Sequence, residues 1–236
     1  MTTMPPHPEH PEHPGTSAPP ARRTILSALT ATVALLAAGQ LPPAVSRAVA
    51  AETGTTGWTV QTMEAFADTL IPGERRSSGD RAIAGAVTGP GAVQAGVIQT
   101  LTSPELPLAP LLPEIAALLN ARALAYATLH LILLPPTLPS FVGLPFRHRT
   151  TLLGTLFDPG EPDRAIWQVL SLLTGLAFDS AAHLDTRQAL DAHHPGLDWL
   201  DFPPPGADGL WRFPHYSYGK ALATPHPATT PSGSPA

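Results

Sequence analysis

The chain has 236 residues, with 13 Lys+Arg, 18 Asp+Glu, 10 His, 30 Pro and no Cys, for a formal charge of −5. Without cysteine there is no disulfide framework, no thiolate-held zinc or iron–sulfur site, no catalytic thiol and no c-type haem attachment. A single lysine, Lys220, and the absence of any basic stripe argue against nucleic acid as a partner.

Seven of the first twenty residues are proline, and residues 7–14 repeat a His-Pro-Glu unit. Such a segment builds neither helix nor core, so a disordered leader is expected. Ala21-Arg22-Arg23-Thr24-Ile25-Leu26 then opens an apolar run to Gly39, and Ala48-Val49-Ala50 before Ala51 forms a small-x-small cleavage signal. Arg22, Arg23, Ile25 and Leu26 resemble a twin-arginine export motif, which implies the twin-arginine translocase as a partner and a secreted or cell-envelope destination. The 15 residues from Ile25 to Gly39 fall short of the roughly 20 that span a bilayer core, so cleavage after Ala50 and no stable membrane span after cleavage are expected. Cleavage there removes three arginines and two glutamates and leaves a mildly acidic chain with ten basic and sixteen acidic side chains.

Past the leader, Val60, Met63, Phe66, Ala67, Leu70 and Ile71 fall at helical spacing, with Glu64 and Asp68 on another face. This predicts an amphipathic helix capped by Thr59 and stopped by Pro72-Gly73. The Ala/Gly-rich residues 81–101, interrupted at Gly89-Pro90-Gly91, predict two short helices around a kink. Gln94 stands where a dinucleotide loop needs its third glycine, and no strand precedes it, so no such loop is expected. A nearly all-apolar helix from Glu114 towards Leu134 is the expected buried centre of the fold, with His130 a hydrogen-bonded core histidine. Residues 141–157 predict another helix. Asp163 is placed to cap a last one, in which Ile166, Val169, Leu170, Leu173, Ala177, Ala181 and Leu184 repeat at three and four residues. No strand-like alternation and no internal repeat occur. The expected fold is all-α: a single compact bundle of about five helices over residues 51–222, followed by a Pro-rich disordered tail at 223–236.

Chemistry-bearing groupings are few. Asp179 and His183, four apart, read as a surface pair, and become a weak metal or general-base candidate only where His193 and His194 fold back towards them. No catalytic residue is assigned, and a self-sufficient enzyme built on this pair remains an alternative, as does a ligand-binding or structural envelope bundle. Arg75, Arg76, Asp80 and Arg81 form a charged loop suited to a partner's carboxylates. Trp199, Phe202, Trp211, Phe213, Tyr216 and Tyr218 concentrate aromatic surface beyond the last long helix, which as a group suits a protein partner.

Ala65-Phe66-Ala67-Asp68-Thr69-Leu70-Ile71-Pro72-Gly73, shortly after a twin-arginine leader, resembles the opening signature of the gluconate 2-dehydrogenase subunit 3 family. Gly79-Asp80-Arg81-Ala82-Ile83-Ala84-Gly85 and Gly89-Pro90-Gly91-Ala92-Val93-Gln94-Ala95-Gly96 resemble actinobacterial relatives of unassigned function. The resemblance implies a small helical subunit exported with a flavoprotein of the glucose-methanol-choline (GMC) type, which holds FAD and oxidises a sugar or alcohol. It implies an accessory role for this chain, with no cofactor and no catalytic residue of its own.

Overall fold

The computed structural model describes residues 56–106 and 108–207. The export motif at Arg22, Arg23, Ile25 and Leu26, the cleavage region at Ala48, Ala50 and Ala51, the aromatics Trp211, Phe213, Tyr216 and Tyr218, and the 223–236 tail lie outside the described residues. Among those described, every regular element is helical and there is no strand: the fold is all-α, with eight α-helices and one 3-10 turn where about five helices were expected.

The first helix, α1 (Thr56–Leu70), occupies the middle of the molecule. Every residue from 62 to 69 is buried, and α1 meets α2 (Val97–Leu101), α3 (Leu112–Leu129), α4 (Ser140–Gly143), α5 (Phe146–Leu156) and α6 (Arg164–Ser180). The small side chains of Ala65 and Ala67 let these neighbours close in on both flanks, while Met63 and Phe66 fill the space between them. Phe66 lies 6.2 Å from the Trp167 ring of α6. A buried amide ties three helices together: Asn120 Nδ2 donates to Thr62 Oγ1 at 3.0 Å, and Asn120 Oδ1 accepts from the Phe141 amide at 3.0 Å. The predicted solvent face of α1 is therefore absent, since Glu64 and Asp68 are 8% and 1% exposed. Thr59 lies inside the helix rather than at its cap.

Of the two short helices predicted within 81–101, only α2 exists. Residues 71–96 instead form a wound, non-helical strap whose backbone bonds to distant partners. The Ala92 amide donates to Ile71 O (3.1 Å) and the Glu74 amide to Gly89 O (2.8 Å). Gly73 and Gly91 touch so closely that a Cβ on either would lie 2.6 Å from the other's amide nitrogen. Alanine content favoured a helix locally, but these long-range bonds satisfy the backbone another way.

Helix α3 is buried over its first half and projects at its end. It stops at Leu129, short of the predicted Leu134, because Leu131 adopts a left-handed φ of 54°. The amides of Leu131 and Ile132 then close onto Thr128 O (3.3 Å) and Ala127 O (2.8 Å), a Schellman motif. His130 is consequently exposed, its ring stacked 4.2 Å from that of Tyr126, and is no core histidine. The predicted helix over 141–157 is split into α4 and α5 by Leu144-Pro145, where Leu144 takes the extended backbone that a following proline requires.

The apolar stripe predicted for α6 is real over Ile166, Val169, Leu170, Leu173 and Ala177, all buried. Asp163 sits at its N-cap position but makes no capping bond. Its carboxylate instead accepts from Arg122 Nη2 at 2.8 Å, beside Glu161 at 2.6 Å. The helix ends at Ser180, where Ala181 turns left-handed (φ 49°), so Leu184 falls off the stripe into solvent. Two short helices follow, α7 (Thr186–Asp191) and α8 (Pro195–Trp199). Asp185 caps α7 by accepting from the Arg187 amide at 2.8 Å. These helices carry a small second core of Ala181, Ala189 and Leu197, with Leu190 and Phe202 against it. Gly196 lies so close to the Phe178 carbonyl of α6 that no Cβ fits there.

Candidate functional site

The end of α1 is a hub for the strap. Asp68 Oδ1 accepts from the Gly73 amide (3.1 Å) and Oδ2 from the Ala84 amide (2.8 Å), so one buried carboxylate pins both ends of the turn. Burial raises its pKa above the ordinary carboxylate value, opposed by these two amides and by the nearby Arg149. Arg149, 3% exposed on α5, donates Nε to Leu144 O, Nη1 to Ala82 O, and Nη2 to Val142 O and Arg81 O, at 2.6–3.1 Å. Its guanidinium stands 5.9 Å above the Phe141 ring. Burial pushes Arg149 down to about 10, which leaves it charged at neutral pH. Asp68 and Arg149 thus cross-link α1, α5 and the strap from inside.

The charged loop predicted as a partner surface is exposed over residues 74–79 and at Arg81, and is braced by bonds to the fold beneath it. Arg76 grips Glu64 of α1 bidentately (2.6 and 2.8 Å) and gives Nε to Asp80 at 2.6 Å. Glu64 and then Asp80 hold Arg76 above its usual basicity. Burial pushes Asp80 up, yet the bonds from Arg76 and the Ile83 amide outweigh it and leave its pKa lowered. Arg75 donates Nε to Ile83 O at 3.1 Å. Arg81 is exposed while its carbonyl accepts from Arg149. Two open depressions flank this loop, one of about 370 Å³ lined by Glu64, Arg76, Asp80, Arg81 and Leu138 among others, and one of about 490 Å³ lined by Glu74, Arg75, Gly85, Val87 and neighbours.

The histidines separate into two sets. His183 and His194 meet, with ring centroids 6.0 Å apart, over the backbone of Gly96. Gly96 has φ 79°, and a Cβ there would come within 2.5 Å of His183 Nε2, so the site admits only glycine. Thr100 Oγ1 lies 3.2 Å from Gly96 O and 3.3 Å from His183 Nδ1, tying the imidazole to α2. His194 is likewise fixed: Nδ1 accepts from the Leu197 amide at 3.4 Å, and Nε2 donates to Ala95 O at 3.0 Å. Burial, and then His194, lower the pKa of His183 below the ordinary 6.5. His193 and Asp179 take no part. His193 faces outward, 3.4 Å from Asp198. Asp179 is exposed at the end of α6, and no hydrogen bond or ion pair joins it to His183 among the described residues. The described residues hold no cluster of three or more His, Cys, Asp or Glu able to bind a metal.

Sequence reasoning missed two features here. Glu64 and Asp68 read as a polar face, and only the Pro72-Gly73 turn just beyond Asp68 hinted that a carboxylate would be wanted as a turn cap. Leu129, Leu131 and Leu133, read as part of a buried helix, are 79%, 91% and 96% exposed. Of the predicted aromatic surface, Trp199 is 71% exposed and Phe202 packs on the small core. No described helix is long and apolar enough to cross a membrane.

No curated protein and no solved structure matches the chain. Residues 57–236 match the model of DUF5987, a family of unknown function, and the chain belongs to that family.

Proposed function

We propose that this chain is an exported accessory subunit that binds and escorts a flavin-dependent oxidoreductase of the GMC type, the partner holding FAD and oxidising a sugar or alcohol. The twin-arginine-like leader supports the export step, since that route carries folded cargo and a cofactor-loaded companion supplies a reason to use it. The family match begins at Gly57, just past the expected cleavage point, which fits a leader separate from the folded domain. The resemblance over residues 65–73 supports a shared fold, because that signature forms the buried second half of α1 and the Asp68-held turn.

The observation that carries a contact role is Trp199, 71% exposed beside the half-exposed Leu200 at the end of α8. A tryptophan left in solvent at the point where the chain runs on to Trp211 and Phe213 is the residue type that anchors protein interfaces. The proposed partner contacts are then Trp199 and Leu200 at the α8 end together with the aromatic residues that follow in sequence, and, as a separate contact, exposed Arg81 and the 73–81 loop.

The test is co-expression with a GMC-type flavoprotein encoded beside this chain, followed by purification through a tag on this chain. Stoichiometric recovery of flavin absorbance is expected, with Trp199→Asp weakening the complex at least tenfold. Export of that flavoprotein unchanged in a strain lacking this chain, or a purified complex indifferent to Trp199→Asp, would overturn the reading.

A further inference from the structure

The most exposed large apolar side chains among the described residues are those of Leu129, Leu131 and Leu133, at 79%, 91% and 96%. Leu131 and Leu133 alternate with residues that turn inward, since Ile132 and Leu134 pack on the main core, while Leu129 and the exposed His130 close the helix just before them. The outward leucines are thus held on a rigid base. The Ile132 amide is bonded to Ala127 O, and Leu131 is kept in a left-handed conformation that a leucine adopts only at a cost. An exposed apolar cluster of this kind marks a contact site for a protein or a membrane.

Its surroundings narrow the choice. Behind the prong stands the Tyr126–His130 ring pair, and Tyr126 Oη meets His148 Nδ1 at 3.1 Å. Arg147 donates Nε to His148 Nε2 at 3.2 Å, with its side chain at the surface. Amphipathic rings and an arginine just behind leucines are the arrangement found at the headgroup level of a bilayer. The charge pattern agrees. From Ile115 to Phe157 the sequence has no Asp or Glu, although the chain as a whole is acidic. Arg122 is neutralised by Glu161 and Asp163 and Arg149 is buried, which leaves Arg147 as the outward cation of this face.

We propose that the prong formed by Leu129, Leu131 and Leu133, with Arg147 behind it, inserts into the surface of an anionic lipid bilayer and tethers the folded domain there without crossing it. The leucines enter the outer hydrocarbon, Tyr126 and His130 lie among the headgroups, and Arg147 meets lipid phosphate. The attachment is reversible, as three leucines and one cation constitute a weak anchor. It does not depend on any flavoprotein.

The chain has no cysteine, so Leu131→Cys places one environment-sensitive fluorophore at the prong tip, and Thr88→Cys serves as a control on the strap. The full chain is mixed with vesicles of equimolar phosphatidylglycerol and phosphatidylcholine, or of phosphatidylcholine alone. The expected result is a blue shift at position 131, quenched by lipid-borne quenchers, on the anionic vesicles and not at position 88. Leu129→Asp with Leu133→Asp should reduce the affinity of the position-131 signal at least tenfold, and Arg147→Glu several-fold, with unchanged helical circular dichroism. Three results would overturn the proposal: a label at 131 that stays in water while the leader binds the vesicles; binding equal on both vesicle types and indifferent to Arg147→Glu; or a label buried without lipid, by self-association or by a protein partner.

Discussion

Asp68 shows how much of this fold rests on a few buried polar atoms. A carboxylate at 1% exposure is tolerated because two amides point at it and Arg149 lies near. Removing it leaves the buried Gly73 amide and the half-buried Ala84 amide without acceptors, at roughly 1–3 kcal/mol each. Asp68→Ala should therefore cost about 2–5 kcal/mol in urea unfolding, whereas Asp68→Asn, which keeps one acceptor oxygen, should lose about half of that. If Asp68 were only a surface residue, both changes would fall within about 0.5 kcal/mol. None of this was legible from its spacing alone. Glu64 and Asp68 lie four apart as the only charged residues of their helix, and a solvated face and a buried lock produce the same one-dimensional pattern. What distinguishes them is Arg76, Arg149 and the amide of Ala84, all brought in from elsewhere.

At the level of single elements, legibility depended on whether local sequence or a distant contact ends the helix. The α6 stripe from Ile166 to Ala177 could be read directly because one face packs on one core along its whole length. The end of α3 could not, because its stop signal is not glycine. Schellman closures with a non-glycine residue in the left-handed position occur at Leu131, His193 and Asp201, with φ of 49–54°. Each of these residues is exposed. At α8 the closure is completed by Phe202 resting on Leu197, the apolar contact that usually accompanies this motif. Asp201→Gly should relieve the left-handed strain and remove a negative charge from a helix C-terminus, raising stability by about 0.5–1.5 kcal/mol in thermal or urea unfolding. A loss of stability there would mean that Asp201 makes a favourable contact of its own. The Ala-rich strap illustrates the opposite failure: its composition favours helix, while the Gly73–Gly91 contact, the bonds to Asp68, and Gln94, which accepts from the Gly91 amide (2.9 Å) and donates to Glu74 O (2.6 Å), demand a turn.

Across the whole molecule, the C-terminal helices α7 and α8 form a unit apart from the main core, attached through Gly196 on Phe178 and through two histidines over Gly96. Segments with a small core of their own open first. His183 gives that opening a pH dependence whose sign follows from its lowered pKa. Above about pH 6.5 the folded and unfolded forms are both neutral and the attachment is complete. As pH falls below that value the unfolded form binds the proton more readily, and stability is lost until the folded form also titrates. Amides of Leu197 and Thr100 should therefore lose hydrogen-exchange protection at mildly acidic pH while those of α1 keep theirs, and His183→Gln should flatten the dependence. Equal losses in α1 and α8 would instead indicate one cooperative unit.

The position of α1 has a consequence for biosynthesis. This helix is the first part of the domain to leave the ribosome and the last to find all its neighbours, since α6 ends at Ser180. At ordinary elongation rates that interval is roughly 5–20 s, during which Met63 and Phe66 lack part of their native cover. A holding chaperone that recognises this stretch of nascent chain would therefore control how much of the protein matures, and slowing translation downstream of residue 70 should lower the yield more than slowing it upstream.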